Sequence, residues 1–100
     1  MSQGVNQVIL TARITERKSL RYTPAGLPVS DMLLEHEGLQ GAGSASRLIQ
    51  VRVQAKAMGT IAEQIQQMEL GLICRFEGFL TQARQSKGLN CLWATYVLDF

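Results

Sequence analysis

The chain is poor in the residues that do covalent or metal chemistry. It has two cysteines, Cys74 and Cys91, and one histidine, His36. Scattered as they are, with no paired Cys or His spacing, they make no zinc site. Both cysteines sit inside apolar segments and read as buried free thiols, as expected in a reducing compartment. His36 has no nucleophile or partner carboxylate arranged with it in a recognised motif, so it reads as a structural residue near a strand end. Asp31, Glu35 and Glu37 lie too close together to form a convincing metal cluster, and a nuclease would want carboxylates elsewhere as well. Nothing here points to an enzyme, a cofactor or a bound metal. No apolar run approaches the roughly 20 residues that span a bilayer. The first residues also lack the charged-then-apolar plan of a secretion signal. The expected location is therefore cytoplasmic.

Acidic residues are also missing from two long stretches. Residues 38–62 carry Arg47, Arg52 and Lys56 and no acid, and residues 78–98 carry Arg84 and Lys87 and no acid. The first arm gathers Arg13, Arg17, Lys18 and Arg21 against Glu16 alone. Net charge is only +2, so the segregation, more than the total, suggests a basic surface suited to a polyanion. A merely solvated polar face is the alternative.

What is present is enough for one small domain. At 100 residues and 46% apolar composition, a single modest core is affordable. A chain of this size buries only about 60–70% of its extended surface, so association with a second copy would help it. Both prolines fall in one stretch, Tyr22-Thr23-Pro24-Ala25-Gly26-Leu27-Pro28. Pro24 and Gly26 mark a tight turn, and Pro28 stands at the mouth of the next strand, where a missing N–H does least harm. The turn joins two arms of a long hairpin.

Five strands are expected. In the first, Val8, Leu10, Ala12 and Ile14 alternate with Ile9, Thr11, Arg13 and Thr15. The second, from Val29 to about Glu37, alternates less cleanly, as a bulge or bend would explain: Val29 and Leu33 can pack, with Leu34 as a further candidate, and Asp31 or Glu35 is exposed depending on register. Residues 38–46 read as a mobile Gly/Ser loop without the Lys-Ser/Thr of a nucleotide-binding loop. The third strand sets Ile49, Val51, Val53 and Ala55 against Gln50, Arg52, Gln54 and Lys56. Thr60-Ile61-Ala62-Glu63 reads as a capping box opening a helix of about ten residues that Gly71 stops. The fourth strand places Leu72, Cys74, Phe76 and Gly78 on one face, with Gly78 marking a sharp coil where a barrel closes. The last places Leu92, Ala94, Tyr96 and Leu98 in the core, opposite Cys91, Trp93, Thr95 and Val97. Phe76, Tyr96 and Phe100 read as core or strand-end packing. Five strands with one short α-helix between the third and fourth is the order of the all-β, Greek-key OB-fold barrel. That fold binds oligonucleotides across its second and third strands and the loops joining strands one–two and four–five.

These residues also resemble a known family. Asn6 to Ile14, the Pro24-Ala25-Gly26-Leu27-Pro28 turn and Leu34-Glu35-His36 are similar to primosomal replication protein N, a relative of bacterial single-stranded DNA-binding proteins. Gly78-Phe79-Leu80, seven further residues and Gly88-Leu89 match its last hairpin. General single-strand binders share the turn but carry a long acidic-tipped tail, so a chain reaching Phe100 directly after its last strand favours the primosomal branch. The resemblance implies a non-enzymatic, homodimeric OB barrel of bacterial replication restart. It would stabilise single-stranded DNA, bridge a restart helicase and a helicase-loader recruiting protein, and be nucleoid-associated during replication. First strands would pair across the dimer, with Ile9, Thr11 and Arg13 meeting the partner. Arg21 and Arg84 match basic residues of the family. The sequence departs at Leu48 (a tryptophan in relatives), Ser86 and Cys91 (lysines) and Glu37 (an arginine).

Single-strand binding needs cations along a phosphate track and flat rings for bases. The candidate DNA-binding residues are Lys18, Arg21, Tyr22, Arg47, Arg52, Lys56, Arg84, Lys87 and Trp93. Arg47 lies beside the lost aromatic at Leu48, where its guanidinium plane can stack. Tyr22 is the ring freest for a base, Trp93 either stacks on bases or is buried in a dimer, and Phe79 packs at the barrel surface or a subunit contact. Two other readings remain: a protein-interaction barrel with weak or no DNA binding, and an RNA-binding cold-shock-type barrel, whose paired aromatic motifs are missing.

Overall fold

The computed structural model describes residues 4–41, 46–82 and 90–99. Six strands and one helix follow in the order β1 (Val8–Arg17), β2 (Arg21–Tyr22), β3 (Pro28–Gln40), β4 (Arg47–Met58), α1 (Thr60–Gln66), β5 (Ile73–Gln82) and β6 (Asn90–Asp99). Five of the strands close on themselves. β1 pairs with β5, β5 with β6, β6 with β4 in parallel, β4 with β3, and β3 returns to β1. The two-residue β2 is an extra edge against the start of β3. This is the expected OB-fold barrel, with its helix between the third and fourth barrel strands.

The turn after β2 forms because each residue suits its place. Gly26 N–H donates to the Thr23 carbonyl at 2.8 Å, and Thr23 N–H to the Leu27 carbonyl at 2.9 Å. Pro24 presets the first corner, and Gly26 adopts φ +87°, which a Cβ would strain. β3 then pairs with β4 from Val29↔Met58 out to Gln40↔Arg47. The loop expected over 38–46 is therefore shorter, because Gly38, Leu39 and Gln40 continue the strand. Residues 42–45, where mobility was expected, lie outside the described residues.

The core follows the alternation of the strands for most of its extent. Ala12, Ile14, Met32, Leu34, Ala55, Ala57, Cys74, Phe76, Leu92, Ala94 and Val97 are buried in one cluster. The irregularity of the second arm has its counterpart in a bulge on β1: Ile14 faces Leu34 and Glu16 faces Leu33, leaving Thr15 unmatched. Leu33, expected to pack, is half-buried, and Met32 fills the core instead. Leu72, expected inward, precedes β5 and is exposed.

β6 departs most from its expected pattern. Glu77 pairs with Tyr96 but Gly78 with Ala94, so Thr95 is an extra residue on β6. The bulge reverses the alternation beyond it. Val97 is buried, while Tyr96 and Leu98, expected in the core, are 49% and 44% exposed. Gly78 sits at this coil, where a Cβ would lie 1.9 Å from the Trp93 carbonyl oxygen. Phe100 lies outside the described residues.

The helix closes one end of the barrel with Ala62 and Ile65, joined by Met68 just beyond its end. Its start differs from the expected capping box. Thr60 is already helical, Gly59 is the cap residue at φ +86°, and no side chain caps the end. Gly59 N–H donates to the Pro28 carbonyl at 2.9 Å, so the turn out of β4 is tied to the start of β3. The helix ends at Gln66, well before Gly71. Arg17 takes the C-terminal role instead, donating from Nη1 to the Ile65 and Met68 carbonyls at 2.9 and 2.6 Å. Gly71, at φ +88°, donates its N–H to the Ile14 carbonyl and pins the following segment to β1. No described helix is long and apolar enough to cross a membrane.

Candidate nucleic-acid interface

Strand register decides which side chains share the outer wall. Residues paired across antiparallel strands project to one face. Phe79 on β5 pairs with Trp93 on β6, Trp93 with Lys56 on β4, and Lys56 with Asp31 on β3. These four therefore form one row across the barrel. The Phe79 and Trp93 rings are stacked, with centroids 5.9 Å apart and planes 10° apart. Trp93 is half-buried by this contact, and Phe79 is 36% exposed. One row further along the β3–β4 hairpin, Leu33 faces Gln54. In the next, Arg13 on β1, Glu35 on β3 and Arg52 on β4 align directly.

Charge on this wall is more balanced than the sequence suggested. Arg21 Nε donates to Asp31 Oδ2 at 2.7 Å. Arg13 donates to Glu35 Oε1, and Arg52 Nε donates to Glu35 Oε2 at 3.3 Å. Arg13 also reaches Glu37 at 3.4 Å, and Gln50 Nε2 donates to the same Glu37 oxygen at 2.9 Å. The Arg13 hydrogen bond holds the Glu35 carboxyl below its ordinary range, against the opposing effect of desolvation. The same contact raises Arg13, and the Asp31 hydrogen bond raises Arg21.

The expected binding residues thus divide. Arg21 and Arg52 lie on the surface but are ion-paired. Lys18 and Arg47 are exposed and Lys56 is half-buried, and none of the three forms an ion pair with a described residue. Tyr22, on β2, is 64% exposed with its ring available. Arg84 and Lys87, with Ser86, fall in 83–89, outside the described residues. Leu48 stands 72% exposed across from Leu39, so the lost aromatic position is on the surface. Cys91 is buried, and burial pushes its thiol up, with nearby Lys56 opposing the shift.

Several residues escaped sequence reasoning. Glu35, expected to be exposed or packed according to register, is 8% exposed beneath its two arginines. A constant hairpin register folded about the middle of the glycine loop would have set Glu35 opposite Arg52 and Asp31 opposite Lys56. The Leu-Glu-His triplet also has a physical account. Leu34 is fully buried, Glu35 is clamped, and His36 Nδ1 lies 2.6 Å from the Thr11 carbonyl where β3 parts from β1. Asn6 pairs its amide with both backbone groups of Leu80, fastening the N-terminal segment to β5. A depression of about 360 Å³ opens beside this wall, lined by Arg52, Val53, Gln54, Leu80 and Asn90.

Comparison with known proteins agrees with the geometry. A family model described as another single-strand binding protein family matches residues 6–96. Replication restart protein PriB of Neisseria meningitidis serogroup B is 40% identical over 80 residues, 79% of this chain and 79% of that protein. PriB of Bordetella pertussis is 35% identical over 81 residues, 81% of this chain and 76% of that protein. The solved structure of PriB from Ralstonia solanacearum superposes with a TM-score of 0.85 at 27% identity, covering 96% of this chain and 98% of that one. Single-stranded DNA binding protein from Thermus aquaticus gives a TM-score of 0.80 at 26% identity over 99% of this chain, which spans 52% of that protein. With the family model, the relatives' identity and the superposed barrel in agreement, the chain belongs to the PriB family of single-strand-binding OB-fold proteins.

Proposed function

We propose that the protein is a non-enzymatic single-stranded DNA-binding component of bacterial replication restart, holding DNA across the outer wall of β4 and β6. The observation that carries this reading is the Phe79–Trp93 ring pair with Lys56 beside it. Flat apolar surface lies next to a cation with no ionic partner among the described residues. Bases stack on such rings for about 1–3 kcal/mol each, while cations follow the backbone. Tyr22, Lys18 and Arg47 extend the surface, and Arg84 and Lys87 belong to the same proposed track. Arg21 and Arg52 contribute less in the free protein because acids already hold them. With three cations lacking an ionic partner among the described residues, the slope of log affinity against log salt is expected near −2, at about −0.7 per phosphate contact.

Homodimerisation is part of the proposal. Val8–Ala12 pair with β5 on one edge, and among the described residues pairing with β3 begins only at Arg13. Ile9 is 52% exposed, so this stretch suits pairing with a second copy. Arg13 is engaged with Glu35 and Glu37, which leaves Ile9 and Thr11 for the contact. Bridging a restart helicase and a loader-recruiting protein completes the proposed role, in the cytoplasm. A second reading, a protein-holding barrel with weak DNA binding, draws support from the neutralised Arg13–Glu35–Arg52 row.

Fluorescence anisotropy of labelled oligo-dT, with duplex and oligo-rU controls, tests the function. Salt-sensitive, single-strand-selective binding, weakened in a Lys56→Ala/Arg47→Ala variant, is the expected result. Absence of binding at low salt would refute DNA binding and leave the protein-holding reading.

A further inference from the structure

The Arg13–Glu35–Arg52 row has an asymmetry that gives it a role beyond stability. Glu35 is bound through both carboxylate oxygens, one by each arginine. Its two partners differ. The Arg13 side chain is 32% exposed and also reaches Glu37, whereas the Arg52 side chain is 72% exposed and holds Glu35 through Nε alone at 3.3 Å. Loss of Arg52 would leave the carboxylate still neutralised by Arg13, so no buried charge would be orphaned. Loss of Arg13 would not be equivalent. Arg52 is therefore the exchangeable partner and Arg13 the retained one.

Arg52 is also placed where a backbone would pass. It lines the depression between β4 and the ends of β5 and β6. Arg52, Gln54 and Lys56 recur at two-residue intervals on one face of β4, a step of about 6.6 Å. That is near twice the ~3.4 Å axial rise per phosphate along a stacked strand. The spacing suits a backbone drawn out by unstacking its bases.

We infer that Glu35 is an intramolecular competitor for the phosphodiester backbone, occupying Arg52 in the free protein and yielding it when single-stranded nucleic acid binds. This deepens the DNA-binding reading and rests on it. A carboxylate in that place yields Arg52 only to an anion able to offer several phosphates in register along β4. It acts as a threshold against isolated small anions.

The test compares oligo-dT binding, at two salt concentrations, by the wild-type protein, Glu35→Gln, and Glu35→Gln/Arg52→Ala. Glu35→Gln is expected to bind about two- to fivefold tighter, the range of an exposed ion pair, at both salt concentrations, since Arg52 meets a phosphate in either complex. The gain should vanish in the double variant. Equal or weaker binding by a folded Glu35→Gln, or a gain that survives Arg52→Ala, would overturn the inference and leave DNA binding intact. DNA binding by Glu35→Gln but not by wild type would support the competitor and refute the functional reading, and no binding by either would overturn both. An equal gain toward poly-glutamate would overturn the assignment to a phosphodiester. Should Glu35→Gln fail to fold, the Nε–H NMR signals of wild type decide. On adding oligo-dT the Arg52 signal should shift while Arg13 holds, and an unmoved Arg52 would overturn the inference.

Discussion

Replacing Gly78 by alanine should destabilise this barrel more than any other single methyl addition at its described glycines. A Cβ there would lie 1.9 Å from the Trp93 carbonyl oxygen, 2.8 Å from its carbon and 3.0 Å from Ala94 Cα. All three atoms are backbone, so no side chain can turn aside. Relieving the contact to even 3.0 Å requires a shift of about 1.1 Å between paired strands, at the point where their register already changes. Overpacking of this kind costs about 1–3 kcal/mol. Breaking a ladder hydrogen bond at the same place and leaving its groups buried adds about 1–3 kcal/mol. A total of about 2–6 kcal/mol is a large share of the ~5–15 kcal/mol of a typical domain. At about 4 °C or more per kcal/mol, the melting temperature should fall by at least about 8 °C. Circular dichroism melts with tryptophan fluorescence give the assay, since Trp93 is the sole tryptophan and its own carbonyl is the group displaced. Gly38→Ala is the control, because its Cβ would meet only the movable His36 ring at 3.1 Å, and its cost should stay below about 1 kcal/mol. A Gly78→Ala protein melting within about 5 °C of wild type would refute the close-approach argument.

Other expected outcomes are simpler to measure. Arg17→Ala removes both bonds to the end of α1 and should cost about 2 kcal/mol in urea unfolding, with Lys restoring part of it. Because the folded Glu35 carboxyl is held below its ordinary value, its contribution to stability is present above pH ~4.3 and lost as pH falls through the folded value. Glu35→Gln should therefore flatten the acid side of the stability profile, measured as urea midpoint against pH. Tyr22→Ala should weaken oligo-dT binding by about 1–3 kcal/mol without altering the melt, since its ring is 64% exposed. Cys91, buried with its thiol pushed up, should resist alkylation at pH 8 until the protein is unfolded, followed by mass spectrometry.

How far the sequence carried the fold depended on local rules. Alternation identified β1, most of β4 and the core residues Cys74 and Phe76, because period two is imposed wherever one face is buried. The Pro24–Gly26 turn was legible because φ constraints are properties of the residues themselves. Bulges were not legible in place. Thr15 and Thr95 are unmatched only relative to a partner strand, so unbroken alternation along β6 points Tyr96 and Leu98 inward, whereas the bulge leaves both exposed. The cap failed for a related reason: Gly59 was chosen by the need to bend β4 toward Pro28, which no local motif records. In the candidate site, cations and rings were visible one by one. Their pairing was not, since Asp31 and Glu35 neutralise Arg21 and Arg52 through contacts between elements.

The unmatched residue on β6 also bears on how this surface can change. Strict alternation ties every side chain of a strand to its neighbours, so a substitution alters one position and leaves the rest facing as before. One surplus residue uncouples the two halves of the strand. Trp93 and Tyr96 both lie on the outside although three positions apart, each on its own side of the bulge. Pairing Thr95 into the ladder as an ordinary residue would turn Tyr96 and Leu98 inward and Val97 outward, exchanging an entire wall through a single step of register. For this strand, register carries as much information as the chemistry of its residues.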